Sequence, residues 1–211
     1  MEKETSRIEA LSDGVFGVAI TLLAVELGLD IRDIEAHHAI ESTSNPELLH
    51  LLFGLWPKIF TYFNSFASVL LMWMFHHQLF KLVRSIDTRL MLCNGLLLLF
   101  VALVPLPTKT MGEFIFTDAF RSATLFYTGY SILVAFSFLI LSFAIKAKNG
   151  RLLLPDLPAG RLTGLSRGLW MGFLLNTGIF ILAFFEPAAA LILNFCMWIF
   201  WAFLAGISEV K

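Results

Sequence analysis

The side chains best suited to chemistry lie at the start of the first apolar segment, RIEALSDGVFGVAITLLAVE, which covers residues 7–26. Its first half carries Arg7, Ser12 and Asp13, whereas residues 17–25 carry no charge. A charged side chain near hydrocarbon costs about 2.5–3.5 kcal/mol on insertion scales, so Arg7 and Asp13 require partners or an aqueous pathway. A polar entrance that leads into an apolar throat is typical of a helix that lines a pore.

At 3.6 residues per turn, this segment separates into three faces. Val18, Leu22 and Val25 share one face. Beside it runs a stripe of small side chains: Ala10, Gly14, Gly17, Thr21 and Ala24. The opposite face carries larger apolar side chains: Phe16, Ile20, Leu23 and Leu27. Because small side chains permit close approach of backbones, copies of this helix can pack around an axis with the first face inward. The result is a hydrophobic constriction beside the Thr21 hydroxyl.

Periodicity alone also fits a second interpretation, in which this segment is an ordinary packing helix of a bundle. Apolar faces and stripes of small residues are common in such helices. Thr21 would then donate a hydrogen bond to the carbonyl of Gly17, one turn before it, rather than contact an ion. The polar entrance favours the pore interpretation, but the spacing of the residues leaves both open.

Composition places the chain among membrane proteins. It has 211 residues, of which 58% are hydrophobic, and a mean hydropathy of +0.80. Soluble domains contain about 45–50% apolar residues. The formal net charge of −1 argues against a nucleic-acid partner.

Neither catalytic nor metal-binding patterns are visible in the sequence. It contains no HExxH and no phosphate-binding loop. The adjacent His76 and His77 diverge by about 100° on a helix, and no Cys or carboxylate joins them at ligand spacing. We therefore expect that the protein is not an enzyme and that it has neither a metal site nor a cofactor.

Six apolar segments are long enough to cross a membrane, which takes about 20 residues. They cover approximately residues 6–29, 47–80, 87–108, 118–147, 160–184 and 188–207. The second begins at Asn-Pro-Glu, residues 45–47, and the third ends at Pro105 and Pro107. The sequence therefore predicts an all-α, polytopic membrane protein with a single domain, residues 1–211.

Basic residues predict the orientation of these segments. They fill or flank the second and fourth connections: Lys81, Arg84, Arg89, Lys146, Lys148, Arg151, Arg161 and Arg167. Other connections carry fewer bases and several acids, as in residues 30–46. Both termini should therefore be cytoplasmic, with the 30–46 connection outside.

Four amide side chains fall within apolar segments: Asn64, Asn94, Asn176 and Asn194. Hydrogen bonding between helices is a common use of an amide in a membrane bundle. We predict that role for them and select none as a site.

The first segment resembles a known family. Arg7-x-x-x-Leu11-Ser12-Asp13, followed by GVFGVAITLLAVEL, is similar to the Arg-x-x-x-Phe-Ser-Asp signature of the endosomal and lysosomal potassium channels called transmembrane protein 175. The segment WMFHHQLF and the number of apolar segments also resemble the prokaryotic branch of that family. The chain departs from the signature at Leu11, where the family usually has Phe.

The resemblance implies a tetramer with the first helix around a central pore and without a TVGYG filter. Since the signature occurs once in this chain, a symmetric lining also requires several chains around one axis. By resemblance, Val18 forms the constriction, Leu22 and Val25 line the next layers, and Thr21 is the layer linked to potassium selectivity.

The resemblance also implies a network that holds the pore helix in register. It comprises Arg7, Ser12 and Asp13, with Trp73 and His77 as candidate partners of Asp13 because both donate hydrogen bonds.

We therefore expect a homotetrameric, potassium-permeable cation channel in the plasma membrane of a prokaryote, with membrane lipid and monovalent cations as its other partners. One alternative is a cation or proton-coupled transporter that uses Asp13, Glu26 or His77 as a titrating relay. A nonconducting scaffold or a membrane enzyme is another alternative, and the missing catalytic motifs weigh against the enzyme.

Overall fold

The computed structural model describes residues 2–37, 45–147, 150–155, 157 and 160–209. These residues form eight helices: α1 Glu2–His37, α2 Asn45–Gly54, α3 Trp56–Phe80, α4 Thr88–Ala102, α5 Pro105–Phe114, α6 Phe120–Lys146, α7 Arg161–Ala183 and α8 Pro187–Glu209. In the described part of the chain, the sole β-type pairing is an isolated bridge between Val83 and Leu153. The predicted all-helical class is confirmed.

Among the described residues, five helical stretches are long and apolar enough to cross a membrane: Thr5–Gly28, Trp56–Phe80, Thr88–Phe114, Phe120–Lys146 and Arg161–Ala183. The last helix, α8, follows them with an apolar stretch at Pro187–Ile199. This order matches the predicted sequence of spans, and the protein is a multi-pass membrane protein.

The predicted second span, residues 47–80, is wrong as a single helix. The structure divides it at Leu55 into the short α2 and the long α3. Pro57 lies in the first turn of α3, where its missing N–H is tolerated. In a helix that continued from α2, the same ring would clash with the preceding turn and leave a carbonyl without its partner.

The predicted ends of the first and third spans are also corrected. Pro105 and Pro107 do not end the third span, because Pro105 begins α5 and the stretch continues to Phe114. At the start of a helix proline interrupts the hydrogen-bond ladder without stopping the chain's path across the membrane. Helix α1 continues to His37, so residues 30–37 of the predicted first connection are helical, and residues 38–44 lie outside the described residues.

The core of the bundle lies on one side of α1. This helix packs against α3, α4 and α5, while α6 packs against α4 and α7. Phe16, Ala19 and Leu23 of α1 join a buried cluster with side chains of α3 and α4, such as Val69 and Leu97. The face of α1 that carries Phe16 and Leu23 therefore packs on the other helices, which leaves the face with Val18 outside the core.

Candidate pore-lining helix

The outward face of α1 contains the residues predicted to line a pore. Val18 is 56% exposed, Leu22 41% and Val25 54%, whereas Phe16 is 1% exposed. Among the described residues, few side chains therefore cover this apolar face. It belongs to the helix that carries the signature sequence. Such a face is suited either to lipid or to further copies of the chain.

The small stripe of α1 also lies outside the packed core. A Cβ atom added to Gly14 or Gly17 would meet nothing within 4 Å. Ala10 and Ala24 are exposed as well. No neighbour among the described residues therefore requires small side chains at these two glycines, and their size leaves room for a backbone from outside the chain.

The hydroxyl of Thr21 lies on this exposed side of α1. Its Oγ1 donates a hydrogen bond to the carbonyl oxygen of Val18 at 2.9 Å. The packing interpretation predicted such a bond to a carbonyl of the same helix, although it named Gly17 as the acceptor. A hydroxyl that donates in this way keeps its lone pairs for a second partner. Thr21 thus offers an oxygen on the same side of the helix as Val18 and Leu22.

Asp13 is held by the first of its two predicted partners. Trp73 Nε1 donates a hydrogen bond to Asp13 Oδ1 at 2.8 Å, which joins α1 to α3. His77 stacks on the Trp73 ring instead, with ring centroids 5.7 Å apart and planes at 7°. His77 therefore orients the donor, while Trp73 makes the bond to Asp13.

Arg7 lies apart from this contact. Its side chain is exposed, and within the described part of the chain no ion pair joins it to Asp13. Arg7 precedes Val18 by eleven residues, which is close to three full turns, so both residues lie on the same face of α1. The structure places Arg7 on the outward face instead of in a contact with Asp13.

A buried network of hydrogen bonds joins α1, α3 and α4. Ser12 of α1 is fully buried and accepts a hydrogen bond from Asn94 Nδ2 of α4 at 3.0 Å. The Asn94 Oδ1 atom lies 2.9 Å from His76 Nε2 of α3, and since an amide oxygen only accepts, the histidine donates. The Ser12 hydroxyl itself donates to the Ile8 carbonyl at 2.8 Å. Ser12, Asn94 and His76 thus each have a hydrogen-bond partner, as burial of polar side chains requires.

Asn94 and His76 were not among the predicted site residues. A signal for both was nevertheless present in the spacing of the sequence. His76 shares a helix face with the buried Val69 and Phe80, and Asn94 shares one with the buried Leu90. Polar residues at core positions of two helices predict a hydrogen bond between the helices. The structure shows such a bond between Asn94 of α4 and His76 of α3.

We expect replacement of Asn94 by Leu to destabilise the bundle by about 1–2 kcal/mol, because Ser12 and His76 lose a buried partner. Asn176→Leu is a matched control, since the Asn176 amide donates to the Gly172 carbonyl of its own helix and joins no second helix in this bond. Thermal unfolding in detergent, followed by loss of the folded peak in size exclusion, measures the difference. Equal loss of stability in both variants would contradict the role of Asn94 in joining α4 to α1 and α3.

An ion pair ties the second half of α1 to α5. Lys109 Nζ of α5 lies 3.0 Å from Glu26 Oε2, and both side chains are partly exposed. An ion pair of this kind contributes little stability by itself, but it restrains this part of α1 relative to α5. Glu26 is therefore engaged by a cation next to the candidate pore face.

Comparison with known proteins places these features in a family. Residues 7–105 match the family model described as Endosomal/lysosomal potassium channel TMEM175. A potassium channel from Streptomyces collinus is 36% identical over 181 residues, which cover 83% of this chain and 82% of that protein. A potassium channel from Chamaesiphon minutus is 39% identical over 137 residues, which cover 65% of this chain and 64% of that protein.

Similarity extends to a solved structure. The crystal structure of a lysosomal potassium-selective channel TMEM175 homolog from Chamaesiphon minutus has a TM-score of 0.81 and 31% sequence identity, and the match covers 95% of this chain and 97% of that one. The human endosomal/lysosomal proton channel TMEM175 is 34% identical over 108 residues, which span 51% of this chain and 21% of the human protein.

Proposed function

Because this chain belongs to the TMEM175 family of ion channels, we propose that copies of it form a potassium-permeable cation channel in the plasma membrane of a prokaryote. The observation that carries the proposal is the uncovered face of α1, where Val18, Leu22 and Val25 are exposed. The relatives from Streptomyces collinus and Chamaesiphon minutus are named potassium channels, which supports the choice of ion.

Four copies surround the conduction path in this proposal. A single α1 presents only one wall, and the signature segment occurs once in the sequence. Closed cyclic symmetry supplies the other walls without leaving an unpaired interface. The small stripe at Gly14 and Gly17 lets neighbouring α1 helices approach while Val18 faces the axis.

Conduction is limited by a hydrophobic constriction at Val18. A narrow ring of valine side chains excludes water, so an ion there lacks both its hydration shell and substitute ligands. Leu22 and Val25 continue this lining towards the outer end. The sequence contains no TVGYG segment whose carbonyls would act as a filter.

Contacts behind the pore face keep α1 in position. The hydrogen bonds from Trp73 to Asp13 and from Asn94 to Ser12 hold α1 against α3 and α4. Their role is to set the rotation of the helix, so that Val18 rather than Phe16 faces the axis. Arg7 then lies on the pore side, at the inner entrance.

The basic residues determine the orientation that we propose. Eight of the 15 Lys and Arg residues lie on the connections from α3 to α4 and from α6 to α7 or on the adjoining helix turns, so this side of the bundle is cytoplasmic, as are both termini.

Selectivity is assigned to Thr21, whose hydroxyl oxygen can coordinate a partly dehydrated potassium ion. We expect Thr21→Val to lower the preference for potassium over sodium while current persists, because valine has a similar size and no oxygen. Thr21→Ser keeps the hydroxyl and should retain the preference. Reversal potentials under a potassium/sodium gradient measure both variants, and an unchanged value for Thr21→Val would place selectivity elsewhere.

Planar-bilayer recording of the purified protein tests the proposal as a whole. Ohmic single-channel current carried by potassium is the expected result, together with a tetrameric mass in light scattering. Saturable flux that depends on a coupled gradient would instead identify a transporter. A monodisperse monomer without current would contradict the channel.

A further inference from the structure

One end of the bundle concentrates basic side chains around two tethered connections. Helices α3 and α6 end there, and α4 and α7 begin there. The two connections are joined by backbone hydrogen bonds, from Arg84 N to the Leu152 carbonyl at 2.7 Å and from Leu154 N to the Leu82 carbonyl at 3.0 Å. The bases on these connections are thus held at one level of the bundle.

An open groove of about 690 Å³ lies between α4 and α6 at this end. The described residues that line it are Arg89 and Cys93 from α4, Ile140, Phe143 and Lys146 from α6, and Ala147 directly after α6. Among the described residues, both charged groups in this lining are cations. The groove therefore carries positive charge without a carboxylate in its own wall.

The lining is ordered by depth. Arg89 is the second residue of α4 and Lys146 is the last residue of α6, so both cations lie at helix ends. Ile140 lies six residues before Lys146, which corresponds to about 9 Å along the helix axis. Cations at the helix ends above an apolar wall match the vertical order of a phospholipid, with a charged headgroup above acyl chains.

The nearby polar groups leave these cations able to bind an anion. Asp87, two residues before Arg89, accepts a hydrogen bond from Leu90 N and caps α4. Lys146 Nζ donates to Ser166 Oγ, and an ammonium group has three N–H donors, so this bond does not exhaust it. Arg89 is exposed, and its guanidinium can bind a phosphate with two parallel hydrogen bonds.

We propose that this groove, defined by Arg89, Cys93, Ile140, Phe143 and Lys146, binds an anionic phospholipid. Its phosphate lies between Arg89 and Lys146, and an acyl chain runs along Phe143 and Ile140. Basic pockets between membrane helices recognise anionic headgroups in this way. Charge complementarity selects an anionic over a zwitterionic lipid, and the apolar wall selects a lipid over free phosphate.

Binding at this site also restrains α4. Arg89 lies five residues before Asn94, whose amide holds Ser12 of α1. A lipid bound between α4 and α6 thus stabilises the position of the helix that contacts α1.

Native mass spectrometry of the purified protein, titrated with phosphatidylglycerol or phosphatidylcholine, tests the site. Phosphatidylglycerol should bind more tightly, and Arg89→Gln combined with Lys146→Gln should weaken its binding about 30-fold, or about fivefold for each charge. The matched control combines Arg84→Gln with Arg151→Gln, which removes two exposed charges from the same end but outside the groove. Equal weakening in the two double variants, equal affinity for the two lipids, or displacement of phosphatidylglycerol by inorganic phosphate would overturn the proposal.

The two cysteines provide a test on the unmodified protein. Cys93 lines the groove, whereas Cys196 of α8 is exposed away from it. Phosphatidylglycerol should slow maleimide labelling of Cys93 and leave labelling of Cys196 unchanged, and phosphatidylcholine should affect neither. Labelling of Cys93 at the same rate in both lipids would contradict the assigned site even if the groove variant failed to fold.

Discussion

Val18→Asn is expected to raise resting potassium flux by about tenfold or more. Asparagine is close to valine in size, but its amide carries donors and an acceptor, so water can enter a ring of four such side chains. A barrier lowered by about 1.4 kcal/mol corresponds to a tenfold higher rate. Val18→Leu adds a methylene group to the same ring and should lower the flux. Potassium flux into liposomes, normalised to tetramer content, measures the three proteins.

Two control variants separate the gate from general effects of a polar side chain. Leu92 is 70% exposed on α4, away from the candidate pore face, so Leu92→Asn should leave the flux near the wild-type value. Phe16 is buried on the opposite face of α1, and Phe16→Asn should reduce the yield of folded protein more than the flux per tetramer. Equal flux in wild type, Val18→Asn and Val18→Leu would place the constriction on another helix.

The second large effect concerns assembly. Gly17→Leu is expected to abolish the tetramer, because a side chain of that size separates neighbouring α1 helices. Within one chain, a Cβ at Gly17 meets nothing within 4 Å, and leucine favours helix more than glycine does. The fold of the single chain should therefore survive, and the loss should appear only in the mass measured by light scattering.

Gly178 supplies the matched control for this substitution. It is also exposed, a Cβ there also meets nothing within 4 Å, and it lies on α7, which packs on α6 and α8. Gly178→Leu should leave the assembly intact. A tetramer of normal mass and conductance in Gly17→Leu would show that the small stripe does not form the contact between subunits.

The local pattern of apolar residues was sufficient to predict the class of the protein and to assign residues to the different faces of α1. Composition and six apolar segments indicated a helical membrane protein, and the 3.6-residue period separated Val18 from Phe16. These properties depend on residues close together in sequence, so they can be derived before the fold is known. The exposure of Val18 and the burial of Phe16 agree with that separation. Proline positions were less informative, because the same residue can start a helix, end it or interrupt a span.

Contacts between helices were decided by the tertiary structure. The sequence offered two adjacent histidines, and packing buried His76 beside Asn94 while it stacked His77 on Trp73. Ser12 and Asn94 are 82 positions apart, and their hydrogen bond depends on how α1 and α4 are rotated and how deep each lies. Rotation and depth follow from the packing of the whole bundle, which the period of one helix does not determine. The sequence by itself thus determined which face of α1 is available for a pore, and only the tertiary structure decided which side chains hold that face in position.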